Sequence, residues 1–148
     1  MKPTPAGWPR LSSAVFYDSA AEAIPWLCKA FGFEVQLRVD GDDGSVVHSQ
    51  LIYGDALIMV SEGGEGERSQ RFGIPLRSPK GVGGANTQSL MVYVDDAAAH
   101  CERARAAGAT IVYEPKIEDY GPEYWADKSY GVLDLGGHLW WFVERVRG

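Results

Sequence analysis

Histidine and cysteine are scarce in this chain: three His and two Cys in 148 residues. A zinc, iron or manganese centre needs three or four nitrogen, oxygen or thiolate ligands converging on one point, so few combinations here could build one. Cys28 and Cys101 both fall inside helical patterns, where a free thiol behaves as a small hydrophobe. Neither a disulfide framework nor a four-cysteine zinc site is expected. Long apolar runs are also missing. Runs such as Leu57 to Val60 and Leu139 to Val143 hold only a handful of residues, far short of the roughly 20 a spanning helix needs, so no membrane segment is expected. The opening MKPTPAGWPR holds Pro3, Pro5 and Pro9 without an apolar stretch behind a basic head, which does not read as a signal peptide; the expected location is the cytosol.

Positive charge is thin too. Fourteen bases against 20 acids give a net charge of −6, and no stretch gathers Lys and Arg into a stripe. Nucleic-acid binding draws its affinity from clustered cations, so none is expected. Other constellations fail on spacing. No Gly-x-Ser-x-Gly elbow occurs. Asp40, Asp42, Asp43 and Gly44 lack the glycine offset and downstream Glu of a calcium loop, and suit a hairpin turn better. Gly81, Gly83 and Gly84 have neither the following Lys nor the strand-turn-helix frame of a phosphate loop.

What is present is a repeat. SSAVFYD, SAAEAIPWLCKAFGFEVQ and SVVHSQLIYGDALIMVSE share a grammar with QSLMVYVDD, AAAHCERARAAGATIVYEP and KSYGVLDLGGHLWWFVE. Each reads strand, helix, then three strands. Leu11–Tyr17 and Gln88–Val94 are β-rich runs ending at Asp18 and at Asp95-Asp96, carboxylates able to cap a helix entry. Ala20, Ala23, Ile24, Leu27, Cys28 and Phe31 share one face of the first helix, and Ala97, Cys101, Ala104 and Gly108 one face of the second. Gly32 and Gly108 supply the left-handed stops. Pro25 removes one backbone hydrogen bond inside the first helix, predicting a kink or a later start there.

After Gly32 the pattern predicts a meander: Glu34–Asp40, Val46–Tyr53 and Ala56–Ser61. After Gly108 it predicts Thr110–Tyr113, a loop through EPKIEDYGPEYWAD, Ser129–Leu135 and His138–Val143. The organisation is one domain over residues 1–148, with module one at about 11–62, a glycine-rich connector at about 63–87 and module two at about 88–145. So long a connector reads as a mobile linker or as a lid over a site.

A duplicated βαβββ unit resembles the vicinal oxygen chelate superfamily, which includes glyoxalases, bleomycin-resistance proteins and extradiol dioxygenases. Ala30-Phe31-Gly32-Phe33-Glu34, Val94-Asp95-Asp96, Arg105 to Ala109, and Asp134-Leu135-Gly136-Gly137-His138-Leu139-Trp140 carry the resemblance, which runs from about Leu11 to Glu144. It implies an α+β fold in which tandem βαβββ modules curl mixed sheets around a cleft, with modules pairing within a chain or across a dimer. Metal-using members place one ligand on the first and one on the last strand of each module. Projected here, those positions hold Leu11 or Ser12, Ile58 or Met59, Ser89 beside Gln88, and Trp141. The quartet is gone, and the resemblance implies no metal and no cofactor.

Candidate ligand contacts remain. His48 and Gln50 share a strand face with Ile52, opposite the more apolar Val47, Leu51 and Tyr53, so they are expected to line the cleft. Trp141 stands where a carboxylate would, Tyr93 closes the neighbouring strand, and Tyr124 and Trp125 lie with Tyr120 in the long loop. Such rings offer flat area for planar ligands, although each also suits an ordinary core or dimer contact. His100 reads as a solvated helix residue, His138 as a turn residue with a hydrogen-bonding role, and Glu62 and Glu144 as solvated strand ends or acid-base groups. The expectation is a metal-free protein that binds a small planar or aromatic molecule through His48, Gln50, Tyr93, Tyr124, Trp125 and Trp141, as a homodimer. The alternatives are a metal-dependent lyase, isomerase or dioxygenase of the same superfamily, and a non-catalytic interaction domain.

Overall fold

A computed structural model describes residues 1–148. The first module comprises β1 (Ser13–Tyr17), α1 (Ala20–Phe31), β2 (Glu34–Asp40), β3 (Val46–Tyr53) and β4 (Ala56–Glu62). The connector holds α2 (Glu67–Phe72) and a single 3-10 turn, Pro79–Val82. The second module comprises β5 (Leu90–Tyr93), α3 (Ala97–Ala106), β6 (Thr110–Asp119), β7 (Ala126–Leu133) and β8 (Leu139–Arg147). Two four-stranded sheets result, ordered β1-β4-β3-β2 and β5-β8-β7-β6, and each has one parallel pair joining its module's first and last strands. The α+β class and the duplicated topology are those the repeat predicts.

The helices begin and end for local reasons. Ser19, not Asp18, caps α1, its Oγ accepting from the Glu22 N–H at 3.3 Å; Asp18 instead accepts from Ser78 Oγ. Asp96 caps α3 through the Ala99 N–H at 2.9 Å. In both modules a glutamate on the last strand reaches the helix start: Glu62 Oε2 accepts from Ala20 N at 3.1 Å, and Glu144 Oε2 from Ala97 N at 3.0 Å. A carboxylate at that place satisfies an orphan donor and complements the helix dipole. The two glutamates are therefore partly buried helix anchors, which corrects their reading as solvated strand ends.

One core serves both modules. Val15, Tyr17, Leu51, Ile58 and Val60 of the first sheet, the buried faces of α1 and α3, and Tyr130, Val132, Trp140 and Phe142 of the second form a single cluster. Phe31, at the end of α1, lies 5.5 Å from the Trp140 ring and 4.8 Å from Phe142. Each sheet thus turns one face to the shared helices and leaves the other face open. Ser49 shows how tightly the inner face is satisfied: fully buried, its hydroxyl donates to Val60 O and accepts from Val60 N.

His100 is only 8% exposed, which corrects the expectation of a solvated residue. It lies between Ala97, Cys101 and Ala104 on the buried face of α3. The Phe31 carbonyl, 2.8 Å from Nε2, can only accept, so Nε2 carries the hydrogen and Nδ1 accepts from the Tyr130 hydroxyl at 2.5 Å. Burial holds the imidazole below its ordinary pKa and pushes the Tyr130 phenol up, which suits a neutral ring bridging α1, α3 and β7.

Two segments depart from the sequence pattern. The 14-residue stretch predicted as a loop is mostly strand: β6 continues to Asp119, β7 starts at Ala126, and the turn between them is Tyr120–Trp125. Its Pro115 lies within a register shift between Tyr113 and Lys116 on an edge strand, where a missing N–H is tolerated. The connector is likewise ordered. Gly63 N donates to Tyr17 O, Gly64 pairs with Leu76, and Lys80 N donates to Gly136 O, stitching it to both modules.

Candidate functional site

The open face of the second sheet follows from strand phase. Trp140 and Phe142 point to the helices and are fully buried, so Trp141, Val143 and Arg145 point outward. Met91 pairs with Trp141 and Tyr93 with Val143, adding two exposed side chains to that face. Gly131 faces Trp141 from β7. A Cβ there would lie 3.1 Å from the indole, so the glycine leaves the space in which the ring rests. Tyr113 meets the same indole edge-on, centroids 5.7 Å apart.

Further along β8, Arg145 organises a second group. Its Nε donates to Asp127 Oδ1 at 2.5 Å and its Nη2 to the Tyr93 hydroxyl at 2.7 Å. The guanidinium lies 5.5 Å from the centroid of Tyr93 and 5.1 Å from that of Trp125. Tyr124 and Tyr120 stand at 6.1 and 5.8 Å from Trp125. The structure therefore brings Tyr93 and Trp125 together around Arg145, with Tyr124 against Trp125; Arg145 is a residue that sequence reasoning missed although it shares the i, i+2, i+4 phase of Trp141 and Val143.

His48 and Gln50 occupy the other sheet. They lie on its open face, half-buried, and bond to each other, with 2.8 Å between Gln50 Nε2 and His48 Nε2. Leu37 and Val39 pair with Gln50 and His48 and leave exposed apolar side chains beside them. Val47, expected among the helix-facing set, is 51% exposed, because the irregularity between Val39 and Asp40 disturbs the strand where Val46 takes the buried place. No hydrogen bond or ring contact joins His48 and Gln50 to the Trp141 and Arg145 groups.

The glyoxalase/bleomycin resistance protein/dioxygenase superfamily profile matches residues 11–142. The chain belongs to this superfamily. An uncharacterised protein of Mycobacterium bovis is 32% identical over 139 residues, covering 94% of this chain and 85% of its own length. Among solved structures, TioX from Micromonospora sp. ML1 is 31% identical with a TM-score of 0.64, covering 92% of this chain and 95% of that one. A glyoxalase/bleomycin resistance protein/dioxygenase from Nocardioides shares the fold at 14% identity and a TM-score of 0.64, covering 100% and 88%.

Within this superfamily fold the projected ligand positions can be located. Of the two residues projected for the first module's last strand, Ile58 belongs to the helix-facing core, whereas Met59 pairs in register with Ala14 on the open face. Ser12 precedes β1 in phase with Ala14, and Leu11 is 88% exposed. Ser89 precedes β5 in phase with Met91. A thioether, two hydroxyls and an indole do not fit a divalent cation, and no three His, Cys, Asp or Glu side chains form a group able to hold one.

The Asp134-to-Trp140 motif has its own geometry. Asp134 Oδ2 accepts from Tyr17 Oη at 2.6 Å and from Trp140 Nε1 at 2.9 Å; Oδ1 accepts from the Gly136 and His138 backbone N–H groups, both at 2.9 Å. His138 Nδ1 lies 3.1 and 3.2 Å from the two oxygens. Burial alone would raise this carboxyl, but the bonds from His138, Tyr17 and Trp140 hold it below the ordinary carboxylate range. Tyr17 comes from module one and the rest from module two, so the motif fastens the repeat together. Gly136 allows the approach: a Cβ there would sit 2.8 Å from the Tyr17 ring.

Proposed function

We propose that this chain is a small-molecule binding protein of the superfamily that works without metal, stacking a planar aromatic ligand on Trp141. The observation that carries the reading is an aromatic face at the place where the family resemblance implies a metal ligand: half-buried Trp141 with Tyr113 on one side, and exposed Tyr93 and Trp125 around Arg145 on the other. Indole and phenol rings give large contact area at low entropic cost. Arg145 adds a fixed cation against which an electron-rich ring or an acidic substituent would be favourable.

The cleft, in this reading, closes between two chains. Both sheets spend their inner faces on the shared core, so their open faces cannot pack on each other within one chain. Each open face carries exposed apolar side chains, Leu37 and Val39 on one, Met91 and Tyr93 on the other, and exposed apolar patches of this kind mark interaction sites. A two-fold dimer would lay the first sheet of one copy, with His48 and Gln50, over the Trp141 face of its partner. The test is titration of a planar dye such as acridine, read by tryptophan quenching and by calorimetry. The reading expects one site per chain, with Trp141→Ala weakening binding tenfold or more. It fails if Trp141→Ala binds as well as the parent chain, or if purified protein carries one tightly held transition metal per chain.

A further inference from the structure

Between edge strands β1 and β5 the connector roofs a cleft of about 370 Å³ that contains none of the groups discussed for the aromatic site. Phe16, Leu76 and Val82 contribute apolar walls; Arg77, Gln88 and His138 contribute polar ones. No Asp or Glu lines it, in a chain whose net charge is −6. The walls are built before any ligand arrives. Asn86 Nδ2 donates to Gly137 O and its Oδ1 accepts from Leu139 N, both at 2.9 Å, which ties the connector to the turn bearing His138.

His138 is held in one orientation there. Its Nδ1 faces the fully buried Asp134 carboxylate, an acceptor only, so Nδ1 carries a hydrogen. Its side chain is 13% exposed, and Nε2 has no protein partner, yet no partnerless buried nitrogen exists in the chain. Nε2 is therefore solvent-accessible, at the cleft wall. With Nδ1 turned to Asp134, the Nε2 edge is the one left to meet a ligand, and an anion there needs an N–H on Nε2 as its donor. Arg77 pairs with Glu65, which is 82% exposed, and so open a pair restrains the guanidinium little.

We propose that this cleft is a second binding site, for a small monocarboxylate with an apolar body, its carboxylate held by His138 Nε2 and Arg77 and its body against Phe16, Leu76 and Val82. The volume falls within the range of small-ligand pockets, roughly 300 to 1,000 Å³. The preference for an anion comes from the two basic groups and the acid-free wall. The site is independent of stacking on Trp141 and stands or falls separately.

Benzoate is the probe and benzamide its neutral match, each titrated into the ¹⁵N-labelled chain and followed by amide shifts. Benzoate is expected to move the amides of Leu76, Gln88 and His138, and to bind at least tenfold more tightly than benzamide. Arg77→Met and His138→Phe are each expected to weaken benzoate at least tenfold; the phenyl ring keeps the contact with Tyr17 while removing both nitrogens. Should His138→Phe unfold, the Arg77→Met comparison and the benzamide ratio still decide. Absence of shifts at 10 mM benzoate (about 10⁻² M, the weakest binding worth naming for a pocket of this kind), shifts confined to Met91, Trp141 and Arg145, or equal affinity for benzoate and benzamide would each overturn the assignment.

Discussion

Asp134→Asn tests the junction between the two modules. The substitution keeps size and one oxygen but removes the charge. If the amide oxygen replaces Oδ1, the Gly136 and His138 N–H groups keep an acceptor, and the new NH2 faces Tyr17 Oη and Trp140 Nε1. The tyrosine hydroxyl can turn and accept. The indole N–H cannot, and a buried donor left without a partner costs about 1–3 kcal/mol. The remaining bonds lose their charge assistance, which roughly halves them. The opposite rotamer is worse, since it sets an NH2 against two backbone N–H groups. A loss of about 3–5 kcal/mol follows, large against the ~5–15 kcal/mol of a whole domain. For a chain of this size that lowers Tm by roughly 6–20 °C. Urea unfolding at pH 7, followed by tryptophan fluorescence and circular dichroism, measures it. The pH dependence gives a second reading. The Asp134 carboxyl is held below its unfolded value, so between the two values the unfolded chain binds the extra proton. Its contribution is complete above about pH 4 and is lost as pH falls through the folded value. Asp134→Asn should flatten that acid limb. A cost under about 1 kcal/mol, or an acid limb identical to the parent's, would refute the argument.

Trp140→Ala, which empties a fully buried site, should cost about 3–5 kcal/mol in denaturant unfolding, whereas Trp141→Ala should leave stability nearly unchanged and lower affinity for planar ligands. His100 is held below its unfolded value of about 6.5, so its share of stability is complete above that pH and declines as pH falls below it; urea midpoints at pH 8 and pH 5 should differ less in His100→Gln than in the parent. Glu62→Gln and Glu144→Gln should each cost about 0.3–1 kcal/mol by weakening the carboxylate at a helix start, measured as shifts in urea midpoint. Purified chain without a polyhistidine tag should hold less than stoichiometric transition metal by elemental analysis, and nickel or zinc should leave Tm unmoved.

The fold was legible because its signals are local and repeated. Strand alternation put Trp140 inward and Trp141 outward, and helix periodicity identified Ala20, Ala23, Ile24, Leu27 and Phe31 as a buried stripe. Other features depend on distant partners. His100 looks solvated beside Glu102 and Arg103, and only the Phe31 carbonyl and Tyr130 hydroxyl explain its burial. The β6–β7 hairpin hides behind Pro115 and a run of charges, because edge strands tolerate both. Arg145 gains meaning only once the hairpin brings Trp125 and Asp127 to it. Met59 was separable from Ile58 only by the pairing register with β1.

The exposed strand β2 bears on how this chain behaves when concentrated. All seven of its residues are exposed, and its register with β3 is broken twice, between Val35 and Leu37 and between Val39 and Asp40. A straight foreign strand laid along that edge would find its donors and acceptors out of step, with the charges of Glu34, Arg38 and Asp40 interleaved among the valines and leucine. Growth by edge addition has no natural end and leads to fibres. Association through a sheet face related by a two-fold axis ends at two copies, because each copy's face is then used up. The bulges and charges of β2 therefore disfavour open-ended growth along that edge, whereas a two-fold face-to-face contact would be self-limiting.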